Sequence, residues 1–183
     1  MDRDAALHIV DDLVKTDNIR KHLIANEAIM RALGRMFEPA KAEEYALAGL
    51  LHDADYEATE KDLAMHTDLV AKRMREAGAG EELVTAVLGH CDKAARDTMM
   101  AKCLYAGDNM AGLITAAALV RPDRKLDGLT PKSVLKRFKE PAFARGANRE
   151  EILTCEREMG MPLSEFTEVC LEAMKSVADD LGL

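Results

Sequence analysis

Apolar residues recur at i, i+3, i+4 and i+7 along nearly the whole chain, the spacing that gives an α-helix one apolar stripe. This periodicity predicts helices over about 4–15, 18–37, 40–53, 61–77, 80–91, 97–120, 131–139, 148–158 and 162–181. Punctuation supports the boundaries. Pro39 opens the third, Gly78 and Gly80 separate the fourth from the fifth, and Pro122 closes the long sixth. Gly160 and Pro162 introduce the last. No segment repeats, and no low-complexity linker divides the chain. The expected fold is all-α, a single domain of eight or nine helices over residues 1–183.

Composition agrees. Only 4% of residues are aromatic and none is Trp, which disfavours a sheet, whereas 48% hydrophobic residues suffice for a core. The net charge of −8 argues against a nucleic-acid polymer or an anionic membrane surface as partner. The longest apolar run, Met110 to Val120, is half of the roughly 20 residues a membrane span needs. The acidic start, Met1-Asp2-Arg3-Asp4, has no signal-peptide pattern behind it. The four cysteines, Cys91, Cys103, Cys155 and Cys170, form no C-x-x-C pair and read as thiols of a reducing compartment. A cytoplasmic location is the expectation.

One stretch departs from the acidic background. Arg121 to Arg149 holds nine basic and three acidic residues, a net +6 that leaves −14 on the remainder. It reads as an insertion or lid after a core of about residues 18–120. Lys132, Lys136 and Lys139 recur at helical spacing with Arg137 beside them, a face suited to clamping an anionic substrate. A solvated helix paired with the acidic body is the alternative.

The histidines change the picture most. His22 shares a helical face with Ile19, Asn26, Ile29 and Leu33; His66 with Leu63, Val70 and Met74; His90 with Leu83 and Val87. His52 ends the apolar run Ala46 to Leu51 with Asp53 next to it, and Asp108 lies on the seam of Leu104, Ala111 and Thr115. A lone histidine on an apolar seam is commonly a satisfied core residue, and a His-Asp dipeptide is a weak signal. Here six such side chains fall on five separate helices, and no Lys or Arg shares their seams. Buried carboxylates without a counter-charge are costly. A divalent cation answers that cost, and imidazole with carboxylate suits Mn, Fe, Co, Ni or Zn, with Mg as a further option. His8 has no such company and reads as structural.

These residues resemble the HD-domain superfamily of metal-dependent phosphohydrolases. The resemblance rests on His22, the pair His52-Asp53, and Asp108 within Tyr105-Ala106-Gly107-Asp108-Asn109, over about Asn18 to Val120. His66 and His90 match the extended form of the pattern, associated with two metals. The resemblance implies an HD-type helical bundle in which His22, His52, Asp53 and Asp108 hold one metal. His66, His90 and a bridging Asp53 would hold the second, and Asp53 would orient the attacking water.

Two departures stand out in His52-Asp53-Ala54-Asp55-Tyr56-Glu57. The lysine of the superfamily's cyclic-dinucleotide phosphodiesterases is missing, and Tyr56 stands where its small nucleotidases carry an acid. Asp55 or Glu57 could act as general acid, with a solvated loop as the alternative, and Lys93 could contact a phosphate. The expected function is hydrolysis of a phosphomonoester or phosphodiester, with a nucleotide or other small phosphorylated molecule as substrate. The alternatives are a di-iron oxygenase acting on a small polyol or phosphonate, and a non-catalytic, metal-stabilised binding module.

Overall fold

A computed structural model describes residues 1–60, 62 and 64–183. Its architecture is set by two long helices, α2 (Asp17–Phe37) and α6 (Met99–Leu119), with the shorter α3 (Ala42–Leu51) packed between and beside them. α1 (Arg3–Leu13) precedes this trio. α4 (Asp68–Glu76) and α5 (Glu81–Gly89) lie between α3 and α6 in the chain. After them come α7 (Pro131–Phe138), α8 (Arg149–Ile152), α9 (Thr154–Met159), α10 (Leu163–Lys175) and α11 (Ala178–Leu181). There is no strand among the described residues, and one hydrophobic core runs from Ala6 to Leu181. No described helix is long and apolar enough to cross a membrane.

α3 has little amphipathic character because Tyr45 to Leu51 are all buried. It crosses α2 backbone to backbone: a Cβ on Gly49 would run into the carbonyl of Asn26. α6 meets α2 closely at Gly107, where a Cβ would stand 3.3 Å from Ile29. The two crossings lie one to four residues from His22, His52 and Asp108, so helix packing brings these side chains together.

The expected helix at 61–77 begins in regular form only at Asp68, with turns described over 52–60 and 64–67. Thr67 adopts a left-handed backbone with φ 71, which no α-helix accommodates. Leu63, expected to share a face with His66, lies outside the described residues. The expected helices at 148–158 and 162–181 each divide in two, at Leu153 and after Ser176, so the structure has more helices than the expected eight or nine. The basic stretch is no separate body. Val134 of α7 and Ile152 of α8 enter the common core, and α7 packs on α6 and α10.

Candidate metal centre

Four of the six expected ligands come from helices or helix ends, and Asp53 and His66 from the chain between α3 and α4. His22 projects from the first turns of α2, Asp108 from the middle of α6, and His52 and His90 cap α3 and α5. Asp53 follows His52 into the turns.

Their ligand atoms form two groups. His22 Nε2 lies 2.8 Å from Asp108 Oδ1 and 3.2 Å from His52 Nε2, which is 3.4 Å from the same Asp108 oxygen. His66 Nε2 lies 3.1 Å from Asp53 Oδ1 and 3.2 Å from His90 Nε2, which is 3.3 Å from that Asp53 oxygen. The other Asp53 oxygen, Oδ2, faces the first group, 3.8 Å from both His22 and His52. His52, Asp53 and His90 also fall within 4.8 Å of one another, so the two groups are contiguous.

The ring orientations are held from behind. His52 Nδ1 donates to the Gly49 carbonyl at 2.9 Å and His90 Nδ1 to the Val87 carbonyl at 2.6 Å. A carbonyl can only accept, so both Nδ1 atoms carry the proton, and in the neutral rings Nε2 presents a lone pair to the centre. His66 Nδ1 is paired with Asp55 at 2.9 Å. Four imidazole nitrogens thus converge with two carboxylates, and neighbouring lone pairs at 3.2 Å repel unless a proton or a cation lies between them.

Protons are one answer. Burial alone would lower the His52 pKa, but Asp53 and Asp108 outweigh it and push it up to about 9. Burial likewise opposes protonation of His66, yet hydrogen bonds to Asp53 and Asp55 raise it to about 10. Burial pushes the Asp53 and Asp108 carboxyls up, and the surrounding imidazoles hold both far below the usual range.

A cation is the other answer, and the spacing fits it. Two ligand atoms about 2.0–2.1 Å from one ion, at tetrahedral or octahedral angles, are separated by about 2.8–3.4 Å. The six contacts within the two groups run from 2.8 Å to 3.4 Å. Donation from Nδ1 to carbonyl or carboxylate is also the usual support behind metal-bound imidazole. The six side chains could hold two divalent ions, with Asp53 offering one oxygen to each.

The remaining site expectations fare differently. Asp55 is not a solvated acid. It is fully buried, and its oxygens accept from His66 Nδ1 (2.9 Å), Thr67 N (3.0 Å) and Val70 N (3.0 Å). Burial works against its ionisation, but these bonds prevail and keep its pKa low, so it orients His66 rather than delivering a proton. Glu57 accepts from the amides of Lys15 and Thr16 at the α1–α2 turn, at 2.9 and 3.0 Å. Lys93 is tied to Asp68 at 2.9 Å and to the Ala64 carbonyl at 2.8 Å.

A cavity of about 980 Å³ opens above Asp53, His66, His90 and Asp108, and Lys93, Lys132, Lys136 and Arg137 are absent from its walls. Arg137 pairs with Glu140 at 2.7 Å instead. The basic side chains that do reach the cavity are Arg145 and Arg149, from the irregular chain after α7, and Tyr56 stands edge-on to His66 with ring centroids 5.4 Å apart. Neither arginine was distinguishable in sequence from its seven basic neighbours.

Comparison with family models, with curated proteins and with solved structures finds no match to this chain.

Proposed function

We propose that this protein is a metal-dependent phosphohydrolase of HD type, acting on a small phosphorylated molecule. The observation that supports it most is the pair of ligand groups sharing Asp53 at the floor of an open cavity. A pair of divalent ions there would supply Lewis acidity and a water acidic enough to attack at neutral pH.

The protein's own contribution is position and charge. His22, His52 and Asp108 converge at one end of the centre, His66 and His90 at the other, and Asp53 spans them. The proton on each of Nδ1 of His52 and His90 is committed to backbone, which leaves the Nε2 lone pairs inward. Asp55 keeps the His66 ring in register without facing the cavity. The rim residues Pro141, Arg145 and Asn148 are exposed, so water reaches the floor, as hydrolysis requires. A volume of about 980 Å³ lies in the range of small-molecule sites.

The test is activity on a panel of aryl phosphates, phosphodiesters and nucleotides with protein reconstituted with Mn or Co. Turnover that Asp53→Ala abolishes is expected. No turnover with any metal, while protein loaded with two irons consumes oxygen in the presence of a polyol or phosphonate, would replace the hydrolase reading with an oxygenase.

A further inference from the structure

The chain between α7 and α8, residues 139–148, runs along the rim of the cavity as a strap. Pro141, Arg145 and Asn148 line the same space as Asp53, His66 and Asp108. The strap has no helix of its own; turn bonds from Phe143 N to Glu140 O at 3.0 Å and from Ala147 N to Ala144 O at 2.9 Å bend it, and side-chain bonds tie it down. Arg149 supplies most of them. Its guanidinium donates to the carbonyls of Ala147 and Phe143 at 2.6 Å, of Ala144 at 2.7 Å and of Phe138 at 3.3 Å.

The far end is tied to the ligand helix. Asn109, next to Asp108, accepts from the Asn148 amide at 2.7 Å and donates to Glu151 at 2.7 Å. Between these anchors Ala144 is held at φ 44, a left-handed conformation that side-chain-bearing residues rarely adopt. The residue that follows this imposed turn is Arg145.

The arginines that flank the strap, Arg137 and Arg149, are engaged, and so is Arg121. Arg121 pairs with Asp123 at 2.8 Å, Arg137 with Glu140 at 2.7 Å, and Arg149 holds backbone. Arg145 is exposed, lines the cavity, and makes no ion pair or hydrogen bond among the described residues. A fixed loop thus presents one unmatched guanidinium beside the centre. A guanidinium pairs with carboxylate or phosphate through two parallel hydrogen bonds.

We infer that Arg145 receives a second anionic group of the substrate, so that the substrate is a small molecule carrying an oxyanion besides the phosphoryl group at the His/Asp floor. This rests on the phosphohydrolase reading for the first group and adds the second. Carboxylate and phosphate share the chemistry Arg145 recognises.

The test uses calorimetry on Mn-loaded protein. The probes are methylphosphonate, with one anionic group, and a series with two: phosphonoacetate, phosphonopropionate, phosphonobutyrate and propylene bisphosphonate. At least one two-anion probe should bind wild type about tenfold or more tighter than methylphosphonate. The better of the carboxylate and bisphosphonate arms identifies the second group. Arg145→Gln should remove that margin and leave methylphosphonate within about twofold, and Arg145→Lys should keep part of it. Arg145 is exposed, so metal content and melting temperature should not move. A margin that survives Arg145→Gln, or no margin in wild type, overturns the inference alone. Failure of methylphosphonate itself to bind metal-loaded wild type overturns the phosphohydrolase reading and this inference with it.

Discussion

Helix α2 solves one electrostatic problem in two ways within two turns of chain. Glu27 is buried, and its carboxylate is met by Arg3 at 2.6 Å and by Arg31 at 2.7 Å. Five residues earlier, His22 faces Asp108 and Asp53, and no lysine or arginine pairs with either aspartate among the described residues. Burial pushes the Glu27 carboxyl up, but the two arginines outweigh it and hold it below its usual value. At the His22 end only imidazoles face the carboxylates. The first arrangement is complete as drawn by its own side chains. The second is complete only with protons or cations added, and that difference separates a structural charge cluster from a binding centre.

Removing the cation should therefore separate the two regions most. Chelation should lower the melting temperature of protein isolated with metal, because each site saturated at a thousandfold its dissociation constant contributes about 4 kcal/mol. For a chain of 183 residues that is roughly 8–16 °C per site, read by calorimetry with metal loss confirmed. The same treatment should leave the Glu27 cluster untouched. An unchanged melting curve after metal loss would remove the contrast.

Glu27→Gln probes the other region and should cost about 2 kcal/mol at neutral pH whether or not metal is bound. Its pH dependence has a definite sign. The folded pKa of Glu27 lies below its unfolded value of 4.5, so the stabilisation is full above pH 4.5 and disappears as pH falls through the folded value. The gap between metal-free wild type and metal-free Glu27→Gln should close below pH 4.5. A gap that widens in acid would contradict the assignment.

The smallest effect should come from Asp55→Asn, which weakens the support behind His66. Removal of a carboxylate behind a ligating imidazole lowers metal affinity about 10- to 100-fold. Metal titration should show one class of site weakened by that amount and the other unchanged. Equal loss at both sites would mean a general structural role.

What could be read from the residues follows from how local each decision is. α2 carries an apolar stripe and α3 and α6 are apolar over most of their length, which buries the helices that bear His22, His52 and Asp108, and the glycines at 49 and 107 permit the crossings that join them. The turns that lead into α4 depart from the helix that the periodicity predicts over 61–77. Their path depends on Asp55 bonding His66, Thr67 and Val70, contacts 11 to 15 residues away that no periodicity encodes. The same limit applies to the basic stretch. Lys132, Lys136 and Arg137 cluster in sequence, yet α7 turns Val134 to the core and its basic side chains stay outside the cavity. Arg145 arrives there because Arg149 folds the strap back on itself.

The proposed function stands on two ion sites that share Asp53. Elemental analysis of Mn-reconstituted, folded protein tests them directly, with wild type beside the double variant His66→Ala, His90→Ala. About two ions per chain are expected in wild type and about one in the double variant, held by His22, His52, Asp53 and Asp108. A double variant that binds as much metal as wild type would contradict the two-site centre, and folded wild type that binds none would contradict the metal centre altogether.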